Sequence, residues 1–191
     1  MAKAMDTPAS LTIRPAEAAD IPAITKIYAH AVLHGTASYE LDAPDEAEML
    51  SRFETILAGG HPYLVATRGD EILGYAYAGA FRARRAYRYM VEDAIYIHPE
   101  AHRQGIGRRL LEALIQESER RGFRQMVAVI GDGSRHVASV GLHAALGFRN
   151  AGTITASGFK FGRWLDTVWM QKELGEGGST LPDRDPGLPA S

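Results

Sequence analysis

The sequence predicts an α/β fold built on a mixed sheet, and three observations carry that prediction. Short runs of alternating apolar residues recur between longer stretches whose apolar residues repeat at helical spacing. Their order reads strand, two helices, three strands, helix, strand, helix, two strands, which brings parallel and antiparallel neighbours into one sheet. The chain has 191 residues, enough for one well-buried core and, at ordinary domain size, for one domain.

The first strand is "LTIRPA", residues 11–16, where apolar and polar residues alternate. Asp20 stands in the position of a helix cap before "IPAITKIYAHAVLHG", a stretch that sets Ile24, Ile27 and Ala31 on one face and stops at Gly35. A second helix is expected from Pro44, with Asp42 and Asp45 near its start and Gly59 and Gly60 at its end. Its apolar residues are Met49, Leu50, Phe53 and Leu57. "YLVATR" and "ILGYAYAGAF" flank the turn "GDE" as an antiparallel hairpin, and "YMVEDAIYI" is a third strand closed by Pro99. The helix "GIGRRLLEALIQESERRG" aligns Ile106, Leu110, Leu111, Leu114 and Ile115 in a stripe that belongs against a sheet, and Gly122 stops it. "QMVAVI" is a strand, "RHVASVGLHAALG" a short helix, and "FRNAGTITASGF" and "RWLDTVWMQKEL" are closing strands.

Composition narrows the function. Aliphatic and aromatic residues make up 46% and charged residues 23%, an ordinary globular balance. A net charge of -2 gives no electrostatic footprint for nucleic acid, and no apolar run reaches the roughly 18 residues that span a bilayer. The chain has no cysteine, which excludes disulfides, thiolate metal sites and a cysteine nucleophile and is compatible with a cytoplasmic location. Residues 1–10, "MAKAMDTPAS", lack the apolar core of a secretory signal and read as a flexible tail. Residues 175–191, rich in Gly, Pro and polar side chains, read as a disordered one, leaving 11–174 as the domain.

The segment "EAHRQGIGRRLL", residues 100–111, puts two glycines before an amphipathic helix, an arrangement suited to an anion because helix N-terminal amides have no internal partners. Three phosphate loops begin this way. A nucleotide-hydrolysing loop needs Lys and then Ser or Thr after its last glycine, whereas Arg108 and Arg109 follow Gly107. A dinucleotide fingerprint needs a third glycine and a tight turn directly off the strand, whereas Leu110 stands there and the strand has ended at Ile97. The third such loop is that of a coenzyme A transferase, and the neighbouring segments must decide.

Strand "AIYI", crossing loop "HPEAHRQ", Gly105, Gly107 and the later "LHAALGF" together resemble the GNAT superfamily of acyl-CoA N-acyltransferases. "ASYELDAP", "GYAYAGAFRARRAYR", "VEDAIYI", "GLHAALGF" and "GFKFGRWLDTVWMQKEL" follow one another as in its phosphinothricin and methionine sulfoximine N-acetyltransferases, so the resemblance covers about residues 11–174. It implies the GNAT fold, a mixed central sheet with helices on both faces. It further implies acetyl-CoA as donor, the α-amine of a small amino acid or analogue as acceptor, direct transfer, and commonly a homodimer.

The same resemblance assigns residues. Glu92, on the alternating face of Ala94 and Tyr96, matches the family's proposed base; without that match it reads as a solvated strand acid. His143 matches the histidine of phosphinothricin-type members, with its part as acid, base or substrate contact open; taken alone, a His beside Leu142 and Leu146 is more often packed than catalytic. Backbone groups of Ile95, Tyr96 and Ile97 would pair with the pantetheine arm as another strand would. Arg103, Gln104, Gly105, Ile106, Gly107 and Arg108 would form the pyrophosphate cradle. Two positions depart from the family pattern: His102 stands for its usual Gln or Arg, and His136 for an Asn used near the cofactor.

An amino-acid acceptor needs a partner for its carboxylate, and "FRARRAYR" supplies Arg82 and Arg84 as candidate forks, with Tyr39 as an aromatic wall. His30 and His34 share a spacing seen in metal pairs, but no third ligand is suitably placed and no metal is expected. Another amine acceptor (an antibiotic, a polyamine or a protein N-terminus) is the rival enzyme reading. A noncatalytic acetyl-CoA sensor, which would lack the pair Glu92 and His143, is the rival of another class.

Overall fold

The structure is a computed structural model and describes residues 10–187. The expected N-terminal tail thus lies, apart from Ser10, outside the described residues. Among those residues seven strands form one sheet: β1 (Leu11–Pro15), β2 (Tyr63–Arg68), β3 (Glu71–Ala80), β4 (Met90–Ile97), β5 (Gln125–Gly131), β6 (Arg149–Lys160) and β7 (Arg163–Glu173). Their spatial order is β1-β2-β3-β4-β5-β7-β6. Neighbours run antiparallel except β4 and β5, which are parallel. The helices are α1 (Ile21–His34), α2 (Glu46–Ala58), α3 (Ile106–Arg120) and α4 (Val137–Ala145).

Strand alternation sends side chains into two cores, one on each face of the sheet. Ile24, Ile27, Val32, Met49 and Phe53 of α1 and α2 pack with Tyr63, Val65 and Tyr75 on one face. Leu110, Leu111 and Leu114 of α3 pack with Leu64, Ala76, Val91, Met126 and Met170 on the other. Burial of each of those three leucines, fully enclosed, is worth about 1.5–3 kcal/mol.

Local chemistry corrects three expectations. The Asp20 side chain makes no cap bond to α1; it takes two hydrogen bonds from the Arg14 guanidinium, each 2.8 Å, and one from the Glu17 amide, which closes the short 3-10 turn Ala18–Asp20 before it. The second helix begins two residues after Pro44, because the Asp45 side chain accepts the Glu48 amide at 2.8 Å and so defines the first turn. Residues 175–187, which composition marks as disordered, run as turns across the end of α3. Arg88 Nε donates to Asp185 at 2.7 Å, Arg184 to the Arg120 carbonyl at 2.8 Å, and the Gly187 amide to the Arg121 carbonyl at 2.8 Å. Polar residues order here because the body offers charged groups and helix-terminal carbonyls as partners.

Candidate active site

The sheet is interrupted at its centre. β4 and β5 pair from Met90 with Gln125 to Asp93 with Ala128 and then part. Beyond that vertex Ala94–Ile97 pair only with β3, and Val129–Gly131 only with β7. The His98 amide donates to the Leu73 carbonyl of β3, while Tyr89 receives amides of Arg124 and Gln125 from the opposite side. Alternation along the strand therefore turns the main-chain groups of Ile95 and Ile97 into the gap and those of Tyr96 toward β3. Of the three residues expected to pair with a pantetheine arm, Ile95 and Ile97 are so placed and Tyr96 is not. Its ring instead meets Tyr28 edge-on at 4.9 Å.

At the mouth of the gap stand the glycines. Gly105 has φ 76°, a left-handed conformation that precedes the first turn of α3 and suits a residue without Cβ. Gly107 lies where α3, α4 and β4 converge: a Cβ there would be 3.4 Å from Leu142 and 3.9 Å from Ile97. Arg103, also at positive φ, is exposed together with His102 and Gln104. His102 Nε2 donates to the Ile97 carbonyl at 3.2 Å and so ties the loop to the strand. Two expected phosphate ligands have partners of their own. Gln104 accepts from Arg68 at 2.9 Å and donates to the Glu100 carbonyl at 3.2 Å, and Arg108 pairs with Glu112 at 2.8 Å. What this loop offers an anion is the α3 amides, starting at Ile106, with Arg103 beside them.

Glu92 is at the vertex on the α1 and α2 face, half-buried. Burial first, then the charge of Asp93, raise its carboxyl above the ordinary carboxylate range, and Arg82 opposes the rise. The Tyr77 phenol, near both Tyr28 and Glu92, is pushed up to about 12, chiefly by burial. Around them Tyr28 donates to Glu40 at 3.0 Å, Arg52 donates to the same carboxylate at 2.7 Å, and Lys160 donates to the Ser38 carbonyl at 2.8 Å. Tyr28, Arg52 and Tyr77 also line a small cavity with Met49, Ile56 and Tyr63. A larger concavity lies away from the gap, between α3 and residues 174–184.

His143 faces the opposite side of the sheet. It is 4% exposed, and both ring nitrogens are engaged: Nδ1 donates to the Ser139 carbonyl at 2.8 Å, and Nε2 lies 3.0 Å from Asp93 Oδ2. Burial depresses the imidazole's affinity for a proton, but the hydrogen bond and charge of Asp93, with the Ser139 carbonyl, outweigh it and hold His143 above its ordinary value. Glu92 and His143 are thus brought to one vertex but not to one face, and His143 has no free nitrogen for a leaving group.

The other expected residues separate. His136 meets Thr36 Oγ1 at 3.0 Å, and Thr36 gives its hydroxyl proton to Asp132, so His136 Nε2 is the donor. Arg163 grips Asp132 in a bidentate pair and, as first cause, holds that carboxyl below its usual range. His136 therefore ties α4 to the α1–α2 loop. Tyr39 donates to the Asp166 carbonyl at 3.2 Å, and its ring is enclosed by glycines: a Cβ on Gly131 or Gly158 would come within 2.7 or 2.6 Å of it. It joins β6 to the end of β5. Arg82 sits over the Phe81 ring at 5.1 Å and acts on Glu92, and Arg84 is exposed at the start of a short turn. The rest of that arginine run is bound: Arg85 and Arg88 both reach Asp185. His30 and His34 lie with ring centroids 4.7 Å apart and planes tilted by 50°, and among the described residues no three His, Cys, Asp or Glu side chains group as a metal site. Nor, among those residues, is any helix long and apolar enough to cross a membrane.

A model of the acetyltransferase (GNAT) family matches residues 25–148. The chain belongs to that family. It is 52% identical over 172 residues to phosphinothricin N-acetyltransferase of Alcaligenes faecalis, covering 90% of this chain and 87% of that protein. It is 42% identical over 166 residues to the L-methionine sulfoximine/L-methionine sulfone acetyltransferase of Salmonella typhimurium, covering 87% and 96%. The crystal structure of a GNAT superfamily phosphinothricin acetyltransferase from Sinorhizobium meliloti, in complex with AcCoA, superposes with a TM-score of 0.89 at 52% identity, over 92% of this chain and 95% of that one. In this GNAT acetyltransferase, sequence reasoning passed over Asp93, Arg52 and Lys160. Asp93 had a signal: between Glu92 and Ala94 it occupies the face opposite theirs, alternating with Val91 and Ile95, where an acid needs a partner.

Proposed function

We propose that the protein transfers an acetyl group from acetyl-CoA to the α-amine of a small amino acid or analogue of the phosphinothricin, methionine sulfoximine or methionine sulfone type, a detoxifying acetylation. The observation that carries this reading is a half-buried carboxylate, Glu92, at the vertex of a gap between parallel strands. The fit to the donor rests on the gap itself: Ile95 and Ile97 present main-chain groups suited to an amide-bearing arm, and the α3 amides behind Gly105 suit its pyrophosphate. The names and the AcCoA complex of the relatives support the same donor and acceptor class.

When bound, acetyl-CoA supplies an activated thioester carbonyl. A free α-amino group has a pKa of roughly 7.7–8.0 and must lose a proton to attack. Glu92 takes that proton, directly or through water, and its raised affinity for protons suits the task near neutrality. Arg82 and Arg84, at the edge of the same face, hold the acceptor carboxylate. With no cysteine in the chain, transfer is direct: the amine nitrogen adds to the thioester carbonyl, the C–S bond breaks as that adduct collapses, and coenzyme A leaves as a thiolate that takes a proton from solvent, to which Glu92 returns the amine proton. The protein works in the cytoplasm as a homodimer; Phe159, Phe161 and Trp164 at the β6–β7 turn, each more than half exposed, provide an apolar surface for a second copy.

The test is a pH series on Glu92→Gln. This variant keeps the size of the side chain and removes the base, so kcat/KM is expected to fall about 100-fold near neutrality and to recover in part at alkaline pH, where solvent deprotonates the amine. Activity close to that of the unmodified enzyme at every pH would remove Glu92 from the role.

A further inference from the structure

Asp93 is the last β4 residue paired with β5, and its side chain is 3% exposed. Only one of its oxygens is satisfied. Oδ2 meets His143 Nε2, while Oδ1 is buried without a hydrogen-bond partner among the described residues. Because His143 Nδ1–H is spent on the Ser139 carbonyl, a proton must also lie between Nε2 and Oδ2 for that 3.0 Å contact to form. A buried carboxylate with a single partner is costly to leave without that partner's charge, which favours keeping the proton on the imidazole. The surroundings add little competition. Phe148 packs edge-to-face on the imidazole at 5.0 Å, the β5 neighbour of Asp93 is Ala128, and the Lys172 ammonium of β7 lies past the helix end beside Gly147. On the other face the groups around Glu92 are Tyr77 of β3 and Arg82.

We propose that Asp93 is a positioning residue of the reaction: behind the sheet it holds His143 as an imidazolium, and through its charge it sets the pH range over which Glu92, in front, acts as base. This rests on Glu92 being the base, as read above. Two adjacent residues of one strand thereby give two carboxylates with different tasks, one closed in an ion pair and one left to titrate.

Two measurements decide it, and the first needs no variant. In nitrogen-detected NMR of the free enzyme, His143 is expected to carry protons on both ring nitrogens above neutral pH. In Asp93→Asn, whose amide can still donate to a neutral imidazole, His143 is expected to carry one proton at pH 7. The second is the pH profile of kcat/KM. In Asp93→Asn the acidic limb is expected to move down by up to about half a unit, because the carboxylate charge lost is on the residue next to Glu92 while the imidazolium charge lost with it lies farther off behind the sheet, with acetyl-CoA affinity unchanged. A singly protonated His143 in the unmodified enzyme at pH 7 overturns the proposal, and so does an acidic limb that stays in place in the variant. If Glu92→Gln proves fully active, the reading of Glu92 fails by itself, and the NMR result still reports on the Asp93–His143 pair.

Discussion

The charge of Arg82 acts on Glu92, which makes the two arginine candidates separable. Replacing either Arg82 or Arg84 by Ala is expected to lower kcat/KM for amino acids by about ten- to a hundredfold, and to do so much less for the matching decarboxylated amines. Only Arg82→Ala should also shift the acidic limb of the profile upward, because Arg82 is the cation that restrains the rise of Glu92. Equal losses on both substrate types would place the arginines outside the carboxylate site. At this scale the sequence made visible what depends on the main chain: alternation places Glu92, and Gly105 marks a left-handed turn. It did not show where side chains from distant elements end. His136 turns to Thr36, 100 positions away, and Tyr39 to Asp166, 127 positions away, because those partners exist only once the sheet is assembled.

Each element was legible to within a residue or two where its own apolar period defined it, as in α3, and less so where a polar side chain chose between partners. Asp20 had a helix to cap and Arg14 to pair with, and the guanidinium won with two charged hydrogen bonds. The gap between β4 and β5 was not legible, since nothing in "AIYI" records which edge loses its neighbour. The turn into α3 supplies a test at this level. Saturating acetyl-CoA, at about 100 times its Kd, should stabilise the protein by about 2.7 kcal/mol. Gly105→Val, whose β-branched side chain resists a φ of 76°, should abolish that gain and cost about 1–3 kcal/mol of unliganded stability through backbone strain, although a Cβ there meets nothing within 4 Å. Leu111→Ala should also destabilise the unliganded protein, by about 2–5 kcal/mol, but keep the gain. Thermal melts with and without acetyl-CoA read both, and an undiminished ligand shift in Gly105→Val would detach the loop from cofactor binding.

Across the whole molecule, residues 175–187 reach from the end of β7 to the loop that carries Arg82 and Arg84, proposed to hold the acceptor, with Asp185 holding Arg85 and Arg88. Ending the chain after Leu174 is therefore expected to raise KM for the acceptor several-fold and to leave acetyl-CoA affinity as it was. Steady-state kinetics on the shortened protein check this, and an unchanged acceptor KM would show that the segment is only a cover. The central gap has a consequence of its own. It divides the sheet into two leaves, β1 to β4 and β5 to β7, joined within the sheet by four rungs from Met90 to Asp93 and across its face by α3, whose leucines pack on both. The buried pair has one foot on each leaf, Asp93 on the first and His143, in α4, against the second. It is a clasp as well as a charge, and the clasp has a sign. Because His143 binds its proton more tightly in the folded protein, the pair's contribution to stability is complete below the ordinary histidine range and is lost as pH rises through the elevated value. Raising the pH thus loosens this one tie between the leaves, while the four rungs and the core beneath α3 go on holding them together.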